Sequence, residues 1–155
     1  MADRVLPGVS LLLPCRDAVY DLAGLWWTVS DPWTVMAFPE TVHGNFDFDE
    51  FWVYAHVTDG VGEFDLHIEM RLIHDDGPPE LIGRGPPTRM EFTGGLQLLA
   101  RDTAFPMRNI PFDTEGVYEF SVWANHASLQ GLKARIVPGF LVVHPVTGES
   151  PVITC

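Results

Sequence analysis

The chain has 155 residues, 46% of them hydrophobic, which suits one domain with its own core and excludes general disorder. Its net charge of −12, from 21 acidic against 9 basic side chains, disfavours nucleic acid and anionic membrane surfaces, both of which are bound through Lys and Arg. Solubility or a basic protein partner is the expected use of such a charge.

The opening MADRVLPGVSLLLPCRD holds three successive Leu, too short a run for the apolar centre of a secretory signal. No stretch reaches the ~18 apolar residues of a membrane span. Cys15 and Cys155 are expected to be unpaired thiols, which fits a reducing compartment, so a soluble cytoplasmic protein is expected.

Gly and Pro are spread through the whole sequence, and no window shows helical periodicity. Val9 to Pro14 reads as a buried first strand. Gly24 can turn the chain into a strand from Leu25 to Val29, which Asp31-Pro32 ends. A loop from Phe38-Pro39 follows, and Phe48 to Thr58 is a long strand with apolar residues on both faces, hence central. Asp59-Gly60-Val61-Gly62 reads as a hairpin turn. Glu63 to His74 then alternates cleanly, with Phe64, Leu66, Ile68, Met70 and Leu72 inward and Asp65, His67, Glu69 and Arg71 outward.

Beyond the DDGPP turn, Leu81-Ile82 and Thr88 to Phe92 read as short edge strands, since Pro is tolerated there. Leu96 to Arg101 and Phe105 to Ile110 make one strand or a bulged pair. Gly116 to Asn125 buries Tyr118, Phe120, Val122 and Ala124 and turns Trp123 outward. Leu132 to Val137 and Phe140 to His144 form a last strand interrupted by Pro138-Gly139. About eight short strands at this spacing predict an all-β fold, a single antiparallel sandwich over residues 1–155 with short extensions at 1–9 and 145–155.

DTEGVYEF (113–120) is similar to the tyrosine corner of immunoglobulin-like sandwiches. More widely, LLLPCRDAVYD, VYAHVTDGVGEFDLHIEMRLIHDDG and NIPFDTEGVYEFSVWANH resemble a bacterial family of uncharacterised immunoglobulin-like domains of unknown function. Glu115 stands where that family's turn carries Pro. The resemblance implies an immunoglobulin-like sandwich and no catalytic residue.

The chemistry-bearing residues form no known signature. No Ser lies in a G-x-S-x-G elbow, and there is no H-E-x-x-H, C-x-x-C or P-loop. Cys15 beside Arg16 reads more naturally as a small buried hydrophobe than as a nucleophile. His74-Asp75-Asp76 reads as a solvated turn. Asp65, His67 and Glu69 share one strand face that is a weak cation site at best. Asp47-Phe48-Asp49-Glu50 fails as a calcium loop because Trp52 stands where Gly is needed. No metal, cofactor or catalytic residue is expected.

Five Trp are many for one small core, and adjacent Trp26 and Trp27 must face opposite ways in a strand. Trp26, Trp27, Trp33 and Trp123 are therefore the candidate partner-binding residues. The expected function is a non-enzymatic protein-interaction or structural subunit of a larger assembly. The alternative is a carbohydrate-binding module that stacks sugars on exposed Trp. An enzyme built on the acidic face from Asp47 to Glu69 comes last.

Overall fold

Strict alternation along the long strands sets the architecture: each carries one apolar face, and two such sheets bury those faces against each other. The computed structural model describes residues 4–32, 35–37, 46–92, 101–112, 116–137 and 140–143. Among them there is no helix. The strands in chain order are β1 (Gly8–Asp21), β2 (Trp26–Pro32), β3 (Val35–Ala37), β4 (Phe46–Thr58), β5 (Gly62–Ile73), β6 (Glu80–Arg84), β7 (Thr88–Phe92), β8 (Arg101–Phe112), β9 (Gly116–Ala124), β10 (Ala127–Val137) and β11 (Phe140–Val143).

One sheet has the order β2-β1-β4-β8 and the other β3-β11-β10-β9-β5-β6, with β7 also paired to β5. Every pairing is antiparallel. β6 and β7 share one edge of β5, β7 along its first half and β6 along its second. The core lies between the sheets. Phe51, Val53, Ala55 and Val57 of β4 and Phe105 and Met107 of β8 meet the inward residues of β5 and β9, from Phe64 to Leu72 and from Tyr118 to Ala124. Beside β6 and β8 the sheets close tightly. A Cβ on Gly83 would lie 2.5 Å from Ile110 Cδ1, so a larger residue there would have to push that methyl aside.

The alternation expected for residues 63–74 and 116–125 is present, and β4 is central in its sheet as its two apolar faces imply. The short strands near residues 81 and 88 do lie at an edge. Residues 38–45 and 93–100, expected as a loop and the start of a strand, lie outside the described residues.

Four expectations need correction. Residues 59–62 do not close a hairpin: β4 and β5 belong to different sheets, and the turn is a corner between them, with Asp59 (φ 59°) and Gly62 (φ 112°) taking the positive angles. The first strand runs past Pro14 to Asp21, because β2 supplies new partners where the pairing with β4 ends. Residues after Val137 do not continue one strand but fold back as β11, with Val137 opposite Phe140; Pro138 and Gly139 themselves are outside the described residues. Gly24 lies in the β1–β2 turn as expected, but Leu25, expected to start the second strand, belongs to that turn with a positive φ of 59°.

Candidate functional site

Both outer faces of the sandwich are partly covered by the chain itself. On the larger sheet, Glu69 occupies an outward position of β5 yet is only 2% exposed. Three neighbours enclose it. Arg71 donates from Nε at 3.1 Å and Nη2 at 2.7 Å to Oε2, Arg84 of β6 donates from Nη2 at 2.5 Å to Oε1, and His67 Nε2 lies 3.5 Å from Oε1. Burial alone would raise the Glu69 carboxyl, but the bonds from Arg71, Arg84 and His67 overcome it and hold the group below the usual carboxylate range.

Trp123 belongs to the same face. β9 pairs with β5 so that Trp123 stands opposite His67 and Ser121 opposite Glu69. The indole stacks on the His67 ring at 6.4 Å and 18°, and the Arg71 guanidinium lies 5.3 Å from its centroid. Its Nε1 donates to Ser121 Oγ at 3.0 Å. The large apolar ring on the outer face is thus half-buried under this chain's own imidazole and guanidinium. Trp123→Ala is expected to cost about 1–2 kcal/mol, through the lost stacking and cation–π contacts, while the sandwich stays folded. Urea denaturation with a far-ultraviolet spectrum of the variant checks both halves of that statement.

The smaller sheet is covered differently. β1 pairs with β4 from Gly8 to Cys15 and with β2 from Cys15 to Asp21, so its second half leaves the sheet with β2 as a hairpin arm. That arm bends over the outward residues of β4 and β8. Trp27 packs on Trp52 at 6.4 Å and 50° and on Tyr20 at 5.3 Å and 52°. Its Nε1 donates to the Asp102 carbonyl at 3.0 Å. Cys15, Ala18 and Ala104, with Trp27, Val29 and Trp52, form a second, smaller apolar cluster beneath the arm. Burial, with Asp17 adding to it, pushes the Cys15 thiol up to about 11, which makes it inert at neutral pH. Along the open border, the His56 ring bonds Asp102 through Nδ1, and burial together with a bond to Asp102 pushes the Tyr54 phenol up to about 12.

The other side of the arm faces water. Leu22 is 80% exposed, Leu25 73% and Trp26 57%, with Val19 beside them. The turn that presents them is firmly built. Asp21 Oδ1 accepts from the backbone N–H of Ala23 at 2.8 Å and of Gly24 at 3.2 Å, and the Asp21 carbonyl accepts from Leu25 N–H at 2.8 Å.

The four candidate tryptophans do not form one surface. Trp26 is on the outside of the arm, Trp27 on its inside, Trp123 on the opposite sheet, and Trp33 lies outside the described residues. Leu22 and Leu25 were missed by sequence reasoning, although apolar residues inside a turn are themselves a signal, because turns are ordinarily polar. Among the described residues, no three His, Cys, Asp or Glu side chains are grouped to hold a metal ion. His74 pairs with Glu80 at 3.2 Å instead. No described helix is long and apolar enough to cross a membrane. Comparison with family models, with curated proteins and with solved structures finds no match to this chain.

Proposed function

We propose that this protein is a non-enzymatic interaction subunit of a larger assembly, and that its partner seats on the outer side of the β1–β2 arm. The observation that carries the reading is the triplet Leu22, Leu25 and Trp26, exposed on a turn that backbone and Asp21 hydrogen bonds hold in shape. A Trp flanked by aliphatics on a braced turn is the composition of an interface hot spot. The partner is a protein with an apolar groove rimmed by Lys or Arg. Asp17 and Asp21 flank the patch, and the chain carries a net charge of −12 that steers a basic partner toward it.

The scaffold reading is an immunoglobulin-like sandwich. Its supports are the β1-β4-β8 order in one sheet, the β10-β9-β5 order in the other, and the crossings between sheets from β4 to β5 and from β8 to β9. The buried Tyr118 on β9 fits the same reading. A reducing, cytoplasmic setting is supported by the buried, unpaired Cys15. Sugar binding is the weaker alternative. A sugar platform needs coplanar rings facing solvent, whereas Tyr20, Trp27 and Trp52 are tilted by about 50° and packed on one another.

The test is site-specific photo-crosslinking in the source cells, with benzoylphenylalanine replacing Leu22 in one protein and Asp76, in the exposed turn after β5, in another. A discrete adduct is expected from position 22 alone, and it should vanish when Trp26→Asp is added. The purified Trp26→Asp protein should keep its stability within about 0.5 kcal/mol, as an exposed substitution does. Equal adducts from both positions, or none from position 22, would sink the proposal.

A further inference from the structure

A cavity among the described residues lies at the start of β5, away from the arm. It has a volume of about 490 Å³, enough for a small molecule, and its walls are polar. Arg4, Arg89, His67 and His126 all line it. With Glu63 and Asp65 in the same lining, the two Arg and two carboxylates balance, so the cavity is locally neutral in a chain of net charge −12.

Glu63 and Asp65 also line the cavity, but both are engaged by Arg89. Arg89 Nε and Nη2 lie 3.0 and 3.4 Å from the two Asp65 oxygens, and Nη1 lies 3.3 Å from Glu63 Oε1. The bond from Arg89 holds the Asp65 carboxyl below its usual range. One cation is therefore spent on two anions, and Arg4 has no ion-pair partner among the described residues.

Arg4 is also held in place. Val5 and Val61 exchange backbone hydrogen bonds of 3.1 and 3.0 Å, which straps the N-terminal segment to the corner between β4 and β5. Asn125 is fixed as firmly at the β9–β10 turn: its N–H donates to the Asp65 carbonyl at 2.9 Å, and its Oδ1 accepts from Asp65 N–H at 3.0 Å. Those two bonds commit its backbone and its side-chain oxygen and leave the Nδ2 amide as a donor. His67 is committed to Trp123 through its face and to Glu69 through Nε2, so it serves as a wall of the cavity. His126 follows Asn125 on the turn and is exposed.

We infer that this cavity binds the oxyanion head group, phosphate or carboxylate, of a small molecule. Arg4 supplies the charge, and the Asn125 Nδ2 amide and His126 supply neighbouring donors. A guanidinium with neighbouring N–H donors is the arrangement that recognises a planar carboxylate or a phosphate. The site is independent of partner docking on the arm, which belongs to the other sheet.

The experiment is a nuclear magnetic resonance titration of the whole chain with orthophosphate and, separately, with succinate. Saturable shifts are expected at the Asn125 side-chain amide and at the His67 and His126 rings, with Kd on the order of 1 mM, as suits a ligand of so few atoms. Arg4→Gln should weaken binding about tenfold, whereas Arg108→Gln, outside the cavity, should leave it unchanged. His126→Ala offers a second variant on the opposite wall, with a smaller loss expected. Saturation by either anion supports the inference, and the tighter of the two identifies the head group. Absence of saturable shifts with both anions, or equal affinity in wild type and Arg4→Gln, would overturn it.

Discussion

Phe120→Ala should destabilise the sandwich by about 3–5 kcal/mol, the cost of emptying a large site that a rigid β core cannot close over. Phe120 on β9 is buried and meets Phe51 on β4 edge to face, with centroids 5.9 Å apart and planes at 86°. The pair spans the two sheets, so its loss weakens the contact between layers rather than one strand. Urea denaturation followed by Trp fluorescence would measure it. Phe51→Ala should cost a similar amount, and the double variant should fall short of additivity by about 0.5–1.5 kcal/mol, the part that belongs to the ring pair itself. A loss below about 1.5 kcal/mol for either single variant would mean that the layers do not depend on this contact.

Glu69→Gln comes next in size, at about 2–3 kcal/mol near neutral pH. The substitution leaves Arg71 and Arg84 without their carboxylate, but both guanidinium groups reach water, which keeps the cost at the lower end for a broken buried pair. The pH dependence is the sharper test. Glu69 is held below its unfolded value, so its contribution is fully present above the ordinary carboxylate range and is lost as pH falls through the lower, folded value. The gap in stability between wild type and Glu69→Gln should therefore be constant at neutral pH and close in strong acid. A gap independent of pH would show that the carboxylate charge is not what Glu69 contributes.

Much of the frame is legible in single strands. The alternation from Phe64 to Leu72 and from Tyr118 to Ala124 marks a buried face directly, and the prolines at 78, 79, 86 and 87 mark an edge. What cannot be read locally is which strand lies beside which. Asp59 to Gly62 has the composition of a hairpin turn, and only the packing of β4 against β5 across the core shows that it turns a corner. Arg16-Asp17 looks like the end of an apolar run, yet the strand continues because β2 arrives to pair with it.

The sites follow the same rule. Glu69 sits at a polar position of a perfect alternation; His67 and Arg71 flank it on its own strand, but its burial also needs Arg84 on β6 and the β9 residues beside it, which are distant in sequence. Trp123 poses its question in the sequence, but the answer lies 56 positions earlier, in His67. The cavity is hidden for the same reason, since Arg4, Arg89 and His126 come from three distant segments.

The division of β1 at Cys15 has a consequence for how the molecule opens. The first half of that strand is locked into the main sheet, whereas the second half is held by β2, one indole hydrogen bond and a small apolar cluster. The arm is thus attached to the sandwich by fewer contacts than the first half of the strand. Loss of the Trp27 contacts is therefore expected to loosen the arm before the two-layered core, so amide protons from Arg16 to Pro32 should exchange faster than those of β4, β5 and β9.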